Sequence, residues 1–95
     1  MYIVEVTSRA RRDLKKLARP LKEKIIIEAG KLSEKPELGE LLSAPYHSIR
    51  SYHFRFKGVE YRIAYHIEKE EKKIIVHLVA VRENFYAKLR RALDI

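Results

Sequence analysis

The side chains of this sequence that could do chemistry together lie in its second half. Tyr52, Phe54 and Phe56 alternate with Ser51, His53, Arg55 and Lys57; then, in opposite parity, Val59, Tyr61, Ile63, Tyr65 and Ile67 alternate with Glu60, Arg62, Ala64 and His66. A period of two is the mark of half-buried strands. Lys57-Gly58 suits a two-residue turn, which would pair Phe56 with Val59, Phe54 with Tyr61 and Tyr52 with Ile63, putting both apolar sets on one face. The polar face then carries His53 opposite Arg62 and Arg55 opposite Glu60. Arg82 ends the next strand and Tyr86 follows one helical turn later, so three guanidiniums, an imidazole and a phenol gather.

Such a set fits a phosphodiester. Guanidiniums are planar, permanently charged forks matched to phosphate oxygens. RNA brings its own nucleophile: a base that takes the 2′-hydroxyl proton lets that oxygen attack the adjacent phosphorus, cations stabilise the charge that develops, and an acid protonates the departing 5′ oxygen. This chemistry requires no metal. The imidazole of His53 is the one group of the set that ordinarily titrates near neutrality, whereas a phenol serves as a base only where cations stabilise its ionised form. An ordinary solvent-facing hairpin also shows cations at alternate positions, as Arg55, Lys57 and Arg62 do. Arg62 is less ordinary, a long charged side chain in mid-strand between Tyr61 and Ile63. Arg82 poses a geometric problem. Strict alternation sends it to the face of Leu78 and Ala80, taken here as helix-covered, so the site needs the strand to end or bulge at Val81. Tyr46, Tyr61 and Tyr65 read as core or edge packing, and His66 with His77 lacks a third ligand in a metal-binding spacing.

The elements that must hold these residues follow from the rest of the chain. Residues 2 to 7 alternate as a strand, and Thr7 or Ser8 can cap a helix with Ala10, Leu14, Leu17 and Ala18 inward and Arg9, Arg11, Arg12, Lys15, Lys16 and Arg19 outward. Pro20 suits the first turn of a second helix, with Leu21, Ile25, Ala29 and Leu32 buried, which Pro36 stops. Residues 35 to 48 read as a loop pinned by Leu38, Leu41 and Leu42, Ile74 to Val81 as a central strand covered on both sides, and 83 to 93 as a closing helix. The expected fold is α+β: a strand, two helices, a three-stranded antiparallel meander and a C-terminal helix, forming one domain over residues 1 to 95 with its helices on the apolar sheet face.

Composition narrows the setting. The 95 residues carry 21 Lys and Arg against 13 Asp and Glu, a formal net charge of +8, which makes polyanions the natural partners. The excess is placed unevenly: +6 over residues 9 to 24, +3 over 47 to 67 and +2 over 82 to 95. With no cysteine, neither a disulfide framework nor a thiolate metal cluster is available. No apolar run approaches a membrane span and the N-terminus lacks a signal-peptide layout, so a cytoplasmic protein without cofactor or membrane partner is expected.

These residues resemble the RelE/ParE toxins of type II toxin-antitoxin modules along essentially the whole chain. The resemblance runs through Tyr2-Ile3-Val4-Glu5-Val6, Ala10-Arg11-Arg12-Asp13-Leu14-Lys15-Lys16-Leu17, Leu41-Leu42, Tyr52-His53-Phe54-Arg55-Phe56 and Glu60-Tyr61-Arg62-Ile63-Ala64-Tyr65, and ends in Val79-Ala80-Val81-Arg82 followed by Tyr86. It implies a microbial-ribonuclease-like fold neutralised by a cognate antitoxin, acidic or DNA-binding, from an adjacent gene. For the RelE-like branch it implies a ribosome-dependent endoribonuclease that cleaves mRNA and inhibits translation. Carried over by position, Arg62, Arg82, Tyr86, His53 and Arg55 form the catalytic set; the placement of basic charge, apart from the resemblance, makes Lys57, Arg11, Arg12, Lys15 and Lys16 the expected RNA-binding residues. His53 and Arg55 stand where that branch usually has lysines, and Val81 where many relatives have a histidine. The ParE branch shares the fold and poisons DNA gyrase, and a catalytically decayed binding module is the remaining alternative.

Overall fold

A computed structural model describes all 95 residues. The elements run β1 (Ile3–Val6), α1 (Ser8–Lys15), α2 (Arg19–Glu34), a 3-10 turn (Pro36–Leu38), β2 (Glu40–Leu41), β3 (Arg50–Phe56), β4 (Val59–Glu68), β5 (Lys73–Val81), a second 3-10 turn (Arg82–Asn84) and α3 (Phe85–Leu93). They form an α+β structure on one mixed sheet of order β1-β5-β4-β3-β2, in which β1 runs parallel to β5 and every other pairing is antiparallel. Thr7 caps α1, its hydroxyl accepting from the Ala10 N–H at 3.1 Å, and Pro20 lies in the first turn of α2, where its missing N–H leaves no bond unmade. The segment expected to be all loop contributes a strand after all: β2 is only two residues long and pairs Glu40 with Ser51 and Leu41 with Arg50.

The hairpin register is the expected one, with Phe56 opposite Val59, Arg55 opposite Glu60 and His53 opposite Arg62. Lys57 and Gly58 both adopt left-handed backbone, φ 51° and 79°, as a type I′ turn demands, and glycine takes the second position without steric cost. Tyr65 is wholly buried; its hydroxyl donates to the Pro36 carbonyl at 2.6 Å and accepts from the Gly39 N–H at 2.8 Å. Burial raises its pKa, partly opposed by the Gly39 N–H. A Cβ on residue 39 would collide with that hydroxyl, so the approach requires glycine.

Between β4 and β5 the register slips. Ala64 pairs with Leu78 while Tyr65 pairs with Val76, which leaves His77 unopposed in a β-bulge. Before the bulge, Ile74 and Val76 join Phe54, Ile63 and Tyr65 beneath Leu21, Ile25 and Leu32 of α2. After it, Leu78 and Ala80 face the other way and pack with Ala64, Ile49, Phe85 and Leu89. The helices therefore do not share one face, contrary to the expectation: α1 and α2 cover one side and α3 the other. Ala64 and Ala80 are small enough for α3 to settle closely, and Phe85 and Leu89 are completely buried there.

One buried charge ties α2 to the sheet. Glu28 is 2% exposed and accepts from the Tyr52 hydroxyl at 2.6 Å, from Lys24 Nζ at 2.8 Å and from Lys31 Nζ at 3.1 Å. Burial raises its pKa, but these three donors together outweigh it and bring the carboxyl from 4.5 down to about 2. Burial and the Glu28 charge push the Tyr52 phenol up to about 12. No helix is long and apolar enough to cross a membrane.

Candidate functional site

The bulge decides where the reactive residues go. Because β5 changes phase at His77, Ala80 faces the same side as Arg62, its partner on β4, and Arg82 begins the 3-10 turn immediately past the Tyr61–Val81 pair. The strand ends at Val81, as the site needed, but the phase change lies four residues earlier than Val81. The face of Leu78 and Ala80 is helix-covered, by α3, and is also the face of the cluster.

Arg62 is the most constrained member. Its side chain is 22% exposed, its guanidinium carbon stands 5.5 Å from the Phe85 ring centre, and its nearest carboxylate is Glu60, with Nε to Oε2 at 3.9 Å. That Nε is buried without a hydrogen-bond partner. Burying a guanidinium N–H against an aromatic face without a hydrogen bond is costly, so packing alone does not explain this placement. Phe85 meets the Tyr86 ring edge-on at 5.1 Å, and Tyr86 in turn lies 5.6 Å from Tyr46 with the rings tilted by 46°. Tyr86 is 46% exposed, and the Phe85 N–H bonds back to the Arg82 carbonyl. Arg62, Phe85, Tyr86 and Arg82 thus form one neighbourhood where β4, the end of β5 and α3 meet.

The other members are looser. His53 is exposed on β3 opposite Arg62 and lines a shallow groove with Glu37, Glu40 and Ser51. Arg55 is exposed and leans toward the turn, Nη1 to the Gly58 carbonyl at 3.4 Å, and Lys57 stands 5.4 Å over the Phe56 ring at the hairpin tip. The expected RNA-binding residues in and just after α1 do not form one patch: Arg11 and Lys15 point toward α2 and Lys22, whereas Arg12 and Lys16 point toward α3. His66 and His77 do meet, Nδ1 to Nε2 at 2.8 Å, with His66 Nε2 on Glu68 at 2.7 Å. Burial, and then the His66 charge, lower the His77 pKa. No group of three His, Asp or Glu side chains is placed to hold a metal ion.

A family model described as the ParE-like toxin of type II bacterial toxin-antitoxin systems matches residues 4–90. The chain belongs to that family. Among solved structures, this ParE-like toxin is similar to a chain of the RelBE2 toxin-antitoxin complex of Mycobacterium tuberculosis, at 30% identity over 85% of this chain and 98% of that one, TM-score 0.71. It shares its fold with an arginine-to-alanine double mutant of E. coli RelE in the free state, 18% identical over 95% and 96% of the two chains, TM-score 0.72. The isolated E. coli RelE toxin matches over 98% and 99% at 21% identity, TM-score 0.68. A search of curated proteins by sequence finds no significant match.

One supporting residue of this toxin, Phe85, was not singled out from sequence, and another, Tyr46, was read only as core or edge packing. Phe85 reads as one apolar residue of a short helix, and Tyr46 as packing beside a proline; only the tertiary contacts make them the supports of Arg62 and Tyr86. The aromatic pair Phe85-Tyr86 just after Arg82 is the one local signal that could have raised Phe85.

Proposed function

We propose that this toxin is a ribosome-dependent endoribonuclease that cleaves mRNA and is held inactive by a cognate antitoxin. The observation that carries this reading is Arg62, a charged fork fixed against Phe85 with a buried, unpaired Nε, beside an exposed Tyr86 and Arg82. In the proposed reaction Arg62, joined by Arg55, holds the phosphate, and Tyr86 takes the proton from the 2′-hydroxyl. The 2′ oxygen bonds to phosphorus as the bond to the 5′ oxygen breaks, giving a cyclic phosphate. Arg82 stabilises the departing oxygen, which receives its proton from His53. So small a cluster gains from a partner that orients the RNA, in keeping with action on the ribosome. The relatives seen as toxin-antitoxin complexes support an antitoxin partner, and the basic surface supports one of complementary charge.

Purified protein added to translating ribosomes is expected to cut the bound mRNA. Arg62→Ala should slow cutting by about 10²-fold or more, the usual effect of losing one transition-state donor, and Tyr86→Phe should also be severely impaired. The ParE-like family match supports a second reading, a DNA gyrase inhibitor. Intact mRNA together with blocked supercoiling by the wild-type protein would select that reading and discard the first.

A further inference from the structure

β1 pairs only with Lys73 to Val76, so the outer edge of β5 beyond the bulge is flanked by helices instead of a strand. There α1 and α3 bound a groove of about 490 Å³ over Leu78 and Val79. Arg9, Arg12 and Lys16 line it from the α1 side, and Lys88 and Arg91 from α3; Asp13 is its one acid. None of the five cations makes an ion pair, while the Arg9 guanidinium donates to the Arg91 carbonyl at 2.7 Å and so ties the two walls together.

The helix dipole accounts for Arg12 and Lys16, at the C-terminal end of α1, but not for Arg9, which stands near the N-terminus with no acid in the first turn. Charges kept only for solubility would have no need to converge with those of a second helix on one groove. Lys88 and Arg91 lie on the α1-facing side of α3, whereas Tyr86 leans on Tyr46, so α3 stands between this groove and the reactive cluster.

We infer that the groove is a second RNA-binding surface, gripping the sugar-phosphate backbone of RNA outside the cleavage cluster. The inference rests on the reading that the protein acts on RNA and adds where that RNA is held. Guanidinium forks on facing walls suit successive phosphates, and five unpaired cations against one carboxylate give the complementarity that a polyanion needs.

The test uses the full-length protein and a short fluorescent RNA carrying 2′-O-methyl groups throughout, which can bind but cannot be cut. Binding is followed by anisotropy across a salt series. The triple variant Arg12→Ala, Lys16→Ala, Lys88→Ala is compared with Lys22→Ala, Lys35→Ala, Lys69→Ala, which loses the same charge elsewhere; circular dichroism melts check that both fold. The groove variant should show a log-affinity against log-salt slope shallower by about 2 and bind ~10²-fold more weakly near 0.1 M salt, at roughly 0.7 of slope per phosphate contact, while the control changes far less. Wild-type slope and affinity in the groove variant would overturn the inference, as would an equal loss in the control. So would intact RNA binding with lost binding of an acidic partner protein, which would make the groove a protein-docking surface. Groove-dependent binding by a wild-type protein that leaves ribosomal mRNA uncut would uphold the groove and sink the cleavage reading instead.

Discussion

Replacing Glu28 by glutamine removes one charge from beneath β3 while leaving the Tyr52 hydroxyl an acceptor of nearly the same shape. The folded protein holds this carboxyl at about 2 where the ordinary value is 4.5. At about 1.4 kcal/mol for each tenfold change in proton affinity, the ionised carboxylate therefore contributes roughly 3 kcal/mol near neutrality, a large share of the stability of a small domain. Since the folded-state value lies below the unfolded one, that contribution is complete above pH 4.5, drains away as the pH falls from 4.5 toward 2, and is absent below. Urea unfolding followed by circular dichroism should find Glu28→Gln less stable by about 3 kcal/mol near neutrality, with the two proteins converging as the pH approaches 2. Parallel stability profiles over that range would refute the argument, because they would mean that Lys24, Lys31 and Tyr52 do not hold the carboxylate more tightly in the folded chain than water does in the unfolded one.

Two further expectations follow from the other face of the sheet. Phe85→Ala should lower stability by about 3–5 kcal/mol in thermal or urea unfolding, the range for emptying a buried aromatic site, and Phe85→Leu should restore most of the stability yet still slow the proposed mRNA cleavage, because it removes the ring that supports Arg62. His77 is held below the usual histidine value of 6.5 by burial and by His66, so the unfolded chain takes up the proton first and stability should fall as the pH drops below 6.5. His77→Gln should flatten that part of a urea-midpoint profile, provided that His66, which meets it, and Glu68, which holds His66 from its other nitrogen, are kept.

The hairpin was legible because the turn chemistry and the two alternations agree: Lys57-Gly58 accepts left-handed backbone, and only an even loop keeps Phe54 and Tyr61 on one face. That agreement fixed the His53–Arg62 and Arg55–Glu60 pairs without any coordinates. The bulge was illegible for the complementary reason. From Ile74 to Val81 every residue but His77 is apolar, so no polar residue marks which face is which, and a one-residue slip leaves no trace in the pattern. Placing all the helices on one face followed directly from that silence. β2 escaped notice because two residues, Glu40 and Leu41, are too few to show a period. The scattering of Arg11, Arg12, Lys15 and Lys16 between two flanks of α1 was implicit in helical geometry, but the partner helix on each flank was not.

The slip at His77 acts on β5 much as a reading-frame shift acts on a message: each side chain downstream is delivered to the opposite address. The even-numbered residues Ile74 and Val76 upstream pack under α2, and the even-numbered Leu78 and Ala80 downstream pack under α3, on the side of Arg62 and Arg82. One strand thereby carries two separately mutable texts. Changes at Leu78 or Ala80 act on the packing beneath Arg62 and Arg82 while Ile74 and Val76 hold the larger core under α2, so one strand lets the two faces of the sheet be altered separately.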